Sequence, residues 1–183
     1  MTESISPAAV YKKTHMNKNM LVFGLIILLA VAVGVLSAFN RSDKSDLHEG
    51  TLRIMANDKL IANITITDLK KLPSVNKNLT VSTSKGKEMH RYTGVPLLAV
   101  LQTCKGDVTE KYSGIIARGM DGYTSSVKMD ELLIPDNVYL MYADNGKPME
   151  TMKHKSGSLQ IVICNDAFGQ RFTKYLVELK LEK

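Results

Sequence analysis

The stretch Tyr92-Thr93-Gly94-Val95-Pro96-Leu97-Leu98 marks the start of a helix in the middle of the chain. Proline suits the first turn of a helix, because the N–H that it lacks would have no partner there. Four apolar residues then recur at the spacing i, i+3, i+4 and i+7, which places them on one face: Leu97, Val100, Leu101 and Cys104. The pattern predicts that this face is buried, with the Cys104 thiol packed in the core.

Short apolar stretches on both sides of this helix predict strands, because apolar and polar residues alternate along most of them. The predicted strands are 52–56, 60–65, 79–84, 112–118, 123–127, 138–143, 159–164 and 175–181. Stretch 159–164 is almost wholly apolar, which predicts a central strand buried on both faces. Short helices are predicted at 67–72, capped by Thr67, and at 129–133. Together these elements predict an α+β domain with strand-rich mixed sheets and short helices.

A continuous apolar run extends from Met20 to Phe39 and contains no charge and no proline. About 20 apolar residues in a helix suffice to cross the hydrocarbon core of a bilayer, so the run predicts one transmembrane helix. It divides the chain into a polar cytoplasmic tail at 1–19, the span at 20–39, a charged linker at 40–50 and a domain at 51–183 outside the cytoplasm. The alternative is a cleavable secretory signal, whose apolar region usually covers about 7–15 residues.

Charge and cysteine usage exclude several classes of function. The formal net charge of +6 is spread along the chain without a basic run, which argues against nucleic-acid binding. The two cysteines, Cys104 and Cys164, lie far apart and form neither a zinc-ligand pattern nor a Cys-x-x-Cys motif. Outside the cytoplasm they could form a disulfide, and their spacing leaves that question open.

Five segments carry turn and element-start signals in a defined order. They are 65–73 (Thr-Ile-Thr-Asp-Leu-Lys-Lys-Leu-Pro), 92–98 as quoted above, 121–123 (Asp-Gly-Tyr), 145–149 (Asn-Gly-Lys-Pro-Met) and 169–176 (Gly-Gln-Arg-Phe-Thr-Lys-Tyr-Leu). In this order they resemble the molybdopterin-binding domain of the sulfite-oxidase-like oxidoreductases, most closely its short, stand-alone versions. The resemblance implies the fold of that domain, molybdopterin as a cofactor and oxidoreductase chemistry.

The resemblance also implies a cysteine thiolate that binds molybdenum, in a loop that corresponds here to 81–90. That stretch contains no cysteine, and a soft metal centre prefers thiolate to the serine hydroxyls found there. Cys164, at the end of a predicted strand, is the remaining candidate to replace it. His90 also stays a candidate, because it lies where the family has its cofactor loop.

Three residues near the end of the chain are candidates for cofactor binding. The family usually has an arginine where this chain has Gln160, so that cation is lost, but Arg171 and Lys174 match basic residues near the pterin phosphate. Arginine and lysine suit phosphate, although both could instead be ordinary solvated surface charges. Asp166, just after a predicted strand, could bind a polar ligand or cap its own loop.

These observations predict a membrane-anchored domain outside the cytoplasm that binds a ligand or a membrane or surface protein partner and lacks molybdenum redox chemistry. No catalytic or metal-binding residue is assigned, and molybdopterin is the cofactor that the resemblance suggests. One alternative is a membrane-tethered, molybdopterin-dependent oxidoreductase with a non-standard metal ligand. Another is a structural module whose ancestral pocket is filled by side chains.

Overall fold

The computed structural model describes residues 18–39, 47–83, 86–104 and 106–183, and the chain divides into two units, Met1–Lys44 and Ser45–Lys183. The first unit contains helix α1, Lys18–Phe39. Among the described residues, no helix is both long and apolar enough to cross a lipid bilayer. The span at 20–39 stays a prediction, as do the tail and the linker, of which 1–17 and 40–46 lie outside the described residues.

Five strands of the second unit form one sheet in the order β2-β1-β10-β5-β6. They are β1 Thr51–Ala56, β2 Lys59–Thr65, β5 Gly114–Gly119, β6 Thr124–Lys128 and β10 Leu176–Glu182. β1 and β10 are parallel, and the other neighbours are antiparallel. The first and last strands of the domain therefore pair with each other inside this sheet.

The other five strands form a second, antiparallel sheet. They are β3 Val75–Thr83, β4 Gly86–Pro96, β7 Val138–Asp144, β8 Lys147–Pro148 and β9 Gln160–Ile163. β3, β4 and β7 are neighbours in that order, and β8 and β9 both pair with β7 on its far side.

The prediction of a central strand at 159–164 is wrong in position, although its burial is as expected. Among the described strands, β9 pairs with β7 alone, so it lies at the edge of its sheet. It is nevertheless buried, because the chain before β10 covers its free edge. The N–H of Ile161 donates to the carbonyl of Thr173 at 3.1 Å, and the N–H of Leu176 donates to the carbonyl of Leu159 at 2.8 Å.

The helices of the second unit are short: α2 Ile66–Leu69, α3 Leu97–Gln102, α4 Val108–Lys111, α5 Met129–Leu133 and a 3-10 helix at Gly169–Arg171. The predicted cap of α2 is wrong, because Thr65 rather than Thr67 occupies that position. Thr65 Oγ1 accepts the N–H of Asp68 at 3.2 Å, and the Asp68 carboxylate accepts the N–H of Thr65.

One core joins the two sheets and α3. Buried side chains from the first sheet, such as Ile54 and Leu179, share it with Leu140 and Ile161 of the second sheet and with Leu101 of α3. A smaller cluster covers the opposite face of β7 and β9, and it contains Tyr92, Tyr139, Met141 and Val162. The second sheet is thus buried on both faces at β7 and β9, where the groove described below opens.

Candidate functional site

A groove with two adjoining lobes opens beside β9, and each lobe has a volume of about 470 Å³. We call the first the aromatic lobe, because its wall includes Tyr92, His90, Phe168 and Phe172. We call the second the polar lobe, because its wall includes Asp144, Asn145, Lys147 and Glu150. Gln160 and Lys174 line both lobes. The groove therefore has the size of a small-molecule site, with two polar side chains at the junction of its lobes.

The local fold explains why these side chains meet. His90 and Tyr92 lie two residues apart on β4, so they project from the same face of the strand. Gln160 begins β9, and Lys174 lies in the segment that covers the edge of β9. Tyr175, which follows Lys174, has a left-handed backbone with φ of 51°, so it is the point at which the chain turns into β10.

A histidine and a carboxylate connect the two lobes. His90 Nδ1 lies 2.7 Å from Asp144 Oδ2, which fits an imidazole N–H donating to the carboxylate. The His90 and Tyr92 rings stack with their centroids 5.0 Å apart. Burial, and then the charge of Asp144, raises the pKa of Tyr92 to about 12, although a hydrogen bond with Gln160 acts in the opposite direction. Tyr92 is therefore a neutral, buried phenol at physiological pH.

Arg171 contacts carboxylates of the protein instead of the groove. Its Nε donates to Asp166 at 2.9 Å, and its terminal nitrogens donate to Asp166, to Glu131 at 2.8 and 3.0 Å, and to the carbonyl of Ser126 at 3.3 Å. A guanidinium carries five N–H donors, so the protein occupies all of them. Glu131 and then Asp166 raise the pKa of Arg171, and Arg171 lowers the pKa of Glu131.

Of the three predicted cofactor-binding residues, Lys174 lies in the groove, whereas neither Arg171 nor Asp166 is among the described residues that line either lobe. Lys174 is exposed where the two lobes meet, and it has no ion pair or side-chain hydrogen bond with any described residue. Lys147 adds a second cation in the polar lobe. Arg171 instead fixes the 3-10 helix whose residues Gly169 and Gln170 line the aromatic lobe.

Neither cysteine is among the described residues that line the groove. Cys104 is buried beneath α3 and Cys164 borders a separate space of about 30 Å³, and both thiols are free. Burial raises the pKa of each thiol, so both are protonated at neutral pH. Within the described part of the chain, no group of three His, Cys, Asp or Glu side chains could hold a metal ion. Ser84 and Lys85, within the expected cofactor loop, lie outside the described residues. A thiolate-bound molybdenum therefore does not fit the described residues of the groove.

The sequence reading missed Tyr92, Asp144 and Gln160 as groove residues. A usable signal existed for Tyr92, since His90 and Tyr92 have the two-residue spacing of one strand face. No local signal exists for Asp144, because it reaches the groove through the pairing of β7 with β4.

Comparison with known proteins decides the family. Residues 41–183 match the model of a protein family that is described as "Oxidoreductase molybdopterin binding domain". The chain belongs to this family. The predicted family is thus confirmed, and mixed sheets with few short helices agree with its fold.

One similar solved structure is the sulfane dehydrogenase SoxCD from Paracoccus pantotrophus. The likeness has a TM-score of 0.56 at 18% sequence identity, and it covers 72% of this chain and 38% of that chain. This chain therefore spans well under half the length of that structure, and at this identity the likeness concerns the fold alone. No curated protein sequence matches the chain.

Proposed function

We propose that the groove binds a small anionic organic ligand of the molybdopterin type, and that the chain is a ligand- or partner-binding module without molybdenum turnover. The observation that carries this proposal is the position of Lys174. Lys174 has no ion pair or side-chain hydrogen bond with any described residue, and it lines both lobes of the groove. An exposed ammonium without a counter-ion in the protein is available to pair with an anionic ligand, and lysine is a common phosphate-binding residue.

The two lobes suit the two parts of such a ligand, which are its flat ring and its phosphate. Phe168 and Phe172 offer apolar ring surfaces in the aromatic lobe, which suits a flat heteroaromatic ring. Lys147 and Lys174 offer two cations in the polar lobe, which suits a phosphate. The carboxylate of Asp144 is already bonded to His90, so it repels an incoming anion less than a free carboxylate would.

The proposal also concerns where the domain lies relative to the cell membrane. We place the domain outside the cytoplasm and the segment at 20–39 in the cell membrane, on the grounds that this segment contains no charge or proline and that its side chains, such as Phe23 and Leu28, lie exposed. About 20 consecutive residues without charge or proline are typical of a segment that lies in lipid. A membrane or surface protein would then be a natural partner of the tethered domain.

The alternative function is a membrane-tethered oxidoreductase in which a non-standard ligand replaces the cysteine. One observation favours it: His90 faces the groove while its other ring nitrogen is held by Asp144 at 2.7 Å. A carboxylate that accepts a hydrogen bond from one ring nitrogen orients the imidazole, as it does in histidines that bind a metal through the other nitrogen. A third function, a structural module with a filled pocket, is less consistent with an open groove lined by Lys174, although neither Arg171 nor Asp166 lines this groove.

The test of the proposed function compares two fluorescent probes, neopterin and neopterin monophosphate, on the full chain in detergent. We expect Lys174→Gln to weaken binding of the phosphate-bearing probe about tenfold, since a charge-assisted contact is lost, and to leave neopterin affinity nearly unchanged. Lys111→Gln, at an exposed position on α4, is the matched control. Equal affinities of wild type and Lys174→Gln for neopterin monophosphate would contradict the proposal.

A further inference from the structure

Gln160 is a buried polar side chain at the junction of the two lobes. It is 6% exposed and lines both the aromatic and the polar lobe. Its place at the start of β9 is fixed by pairing with Met141 of β7. A polar group buried to this degree is costly unless its hydrogen-bonding capacity is met.

The protein meets only part of that capacity. A primary amide offers two N–H donors and a carbonyl oxygen with two lone pairs. Its partner among the described residues is the Tyr92 hydroxyl, whose pKa it lowers against the effect of burial. One N–H and the carbonyl oxygen remain for a molecule that occupies the groove.

The remaining donor and acceptor belong to the same planar group and lie side by side. Such a pair matches an adjacent N–H and C=O in a ring, in the way that the amides of glutamine and asparagine recognise the edges of nucleobases. The aromatic lobe beside it supplies the rings of Phe168 and Phe172 for the faces of the same flat molecule. A small oxyanion, by contrast, finds no charge on this amide.

We infer that Gln160 recognises a lactam edge, so that the ligand class is a flat heteroaromatic lactam rather than a small oxyanion. This inference rests on the proposed function and names the group that selects the ring of the ligand, whereas Lys174 selects its charge. The arginine that the resemblance places at this position would favour an oxyanion, and its replacement by glutamine changes the chemistry that the groove can accept.

The experiment measures binding of neopterin and of N3-methylneopterin, which lacks the ring N–H, to the full chain in detergent by fluorescence. Wild type is expected to bind neopterin about tenfold more tightly than the methylated probe, because one buried hydrogen bond is lost and one amide group is left unpaired. Gln160→Leu is expected to bind both probes equally, because the group that distinguishes them is absent. Gln102→Leu, at an exposed position on α3, is the control and is expected to keep the tenfold preference.

Three outcomes decide the inference. A preference in wild type that disappears in Gln160→Leu supports it. Equal binding of the two probes by wild type overturns it, and this arm needs no variant, so a Gln160→Leu protein that fails to fold does not weaken the test. A preference that persists in Gln160→Leu also overturns it. The proposed function is tested separately, by the effect of Lys174→Gln on binding of neopterin monophosphate. A negative result for Gln160 therefore does not count against the proposed function.

Discussion

Arg171 connects three parts of the domain through one guanidinium. It binds Asp166 after β9, Glu131 in α5 and the carbonyl of Ser126 in β6. Both carboxylates are half-buried or more, with side-chain exposures of 24% for Glu131 and 15% for Asp166, so solvent screens these pairs less than surface pairs. At the scale of single residues, the arginine thus stabilises the wall of the aromatic lobe.

Glu131→Gln is expected to lower the free energy of unfolding by about 1 kcal/mol at pH 7, because the guanidinium loses one of its two counter-ions. Arg171 holds the pKa of Glu131 below its ordinary value, so this contribution is present above the unfolded pKa and is lost as the pH falls through the folded pKa. The difference between wild type and variant should therefore shrink below about pH 4.

Urea denaturation at pH 7 and pH 3 measures this difference. Glu150→Gln, whose side chain is 73% exposed, is the control and should change stability little at either pH. An equal loss for Glu131→Gln at both pH values would mean that the charge of Glu131 does not stabilise the fold.

At the scale of single residues, the sequence indicated that Arg171 and Asp166 matter, but it did not indicate that they pair with each other and with Glu131. Arg171 and Asp166 are five positions apart, and both were expected near a ligand. Glu131 lies 40 positions away from Arg171, and no local pattern indicates that α5 would bring a carboxylate to the arginine. Lys174 lies in the groove, and its role in cofactor binding stays a prediction.

At the scale of elements, β4 and β7 approach unusually closely at Gly94. The register of the pair shifts between Thr93 and Gly94. A Cβ atom at Gly94 would lie 2.6 Å from Met141 Sδ and 2.7 Å from Met141 Cα, and it would also overlap the carbonyl oxygen of Leu140. Backbone atoms cannot move aside as a flexible side chain can, so glycine is required where these strands meet.

Gly94→Ala is therefore expected to destabilise the domain by about 2 kcal/mol or more, since overpacking forces the strands apart. Thermal unfolding followed by circular dichroism measures the change. Thr124→Ala, at an exposed position on the edge strand β6, is the control. A variant as stable as wild type would show that the two strands do not pack this closely.

Elements with strong local signals were predictable, and those without them were not. Helix α5 has the predicted bounds of 129–133, because its apolar residues follow a helical spacing. β4 was missed because its first four residues, from Gly86 to Met89, are exposed and show no alternation. The cap of α2 was misplaced although Thr65 and Asp68 have the spacing of a capping box, which Thr67 and Lys70 lack.

At the scale of the whole molecule, the order of strands depends on contacts that sequence patterns do not encode. β1 and β10 are parallel neighbours although they lie at opposite ends of the domain. An apolar stretch such as β9 indicates burial but not the number of neighbouring strands, and this is why an edge strand was predicted as central. The architecture was accessible through the order of five family motifs, rather than through periodicity.

The proposed anchor makes a prediction at the same scale. The full chain should stay with membranes after an alkaline carbonate wash, whereas a chain lacking 18–39 should be released, because the apolar helix would be its only contact with the bilayer core. Immunoblotting of the two fractions measures this. A full chain that is released by the wash would contradict the anchoring proposal and leave the proposal for the groove untouched.

The central claim is that the groove binds a pterin-type ligand without thiolate-bound molybdenum. The most direct test is the molybdenum and pterin content of the full chain, purified in detergent from a host that makes and exports the molybdenum cofactor. We predict fluorescent pterin in the denatured protein and molybdenum far below one atom per chain, because no cysteine lines the described groove. One molybdenum atom per chain would contradict the account and favour an oxidoreductase with His90 or Cys164 as its metal ligand.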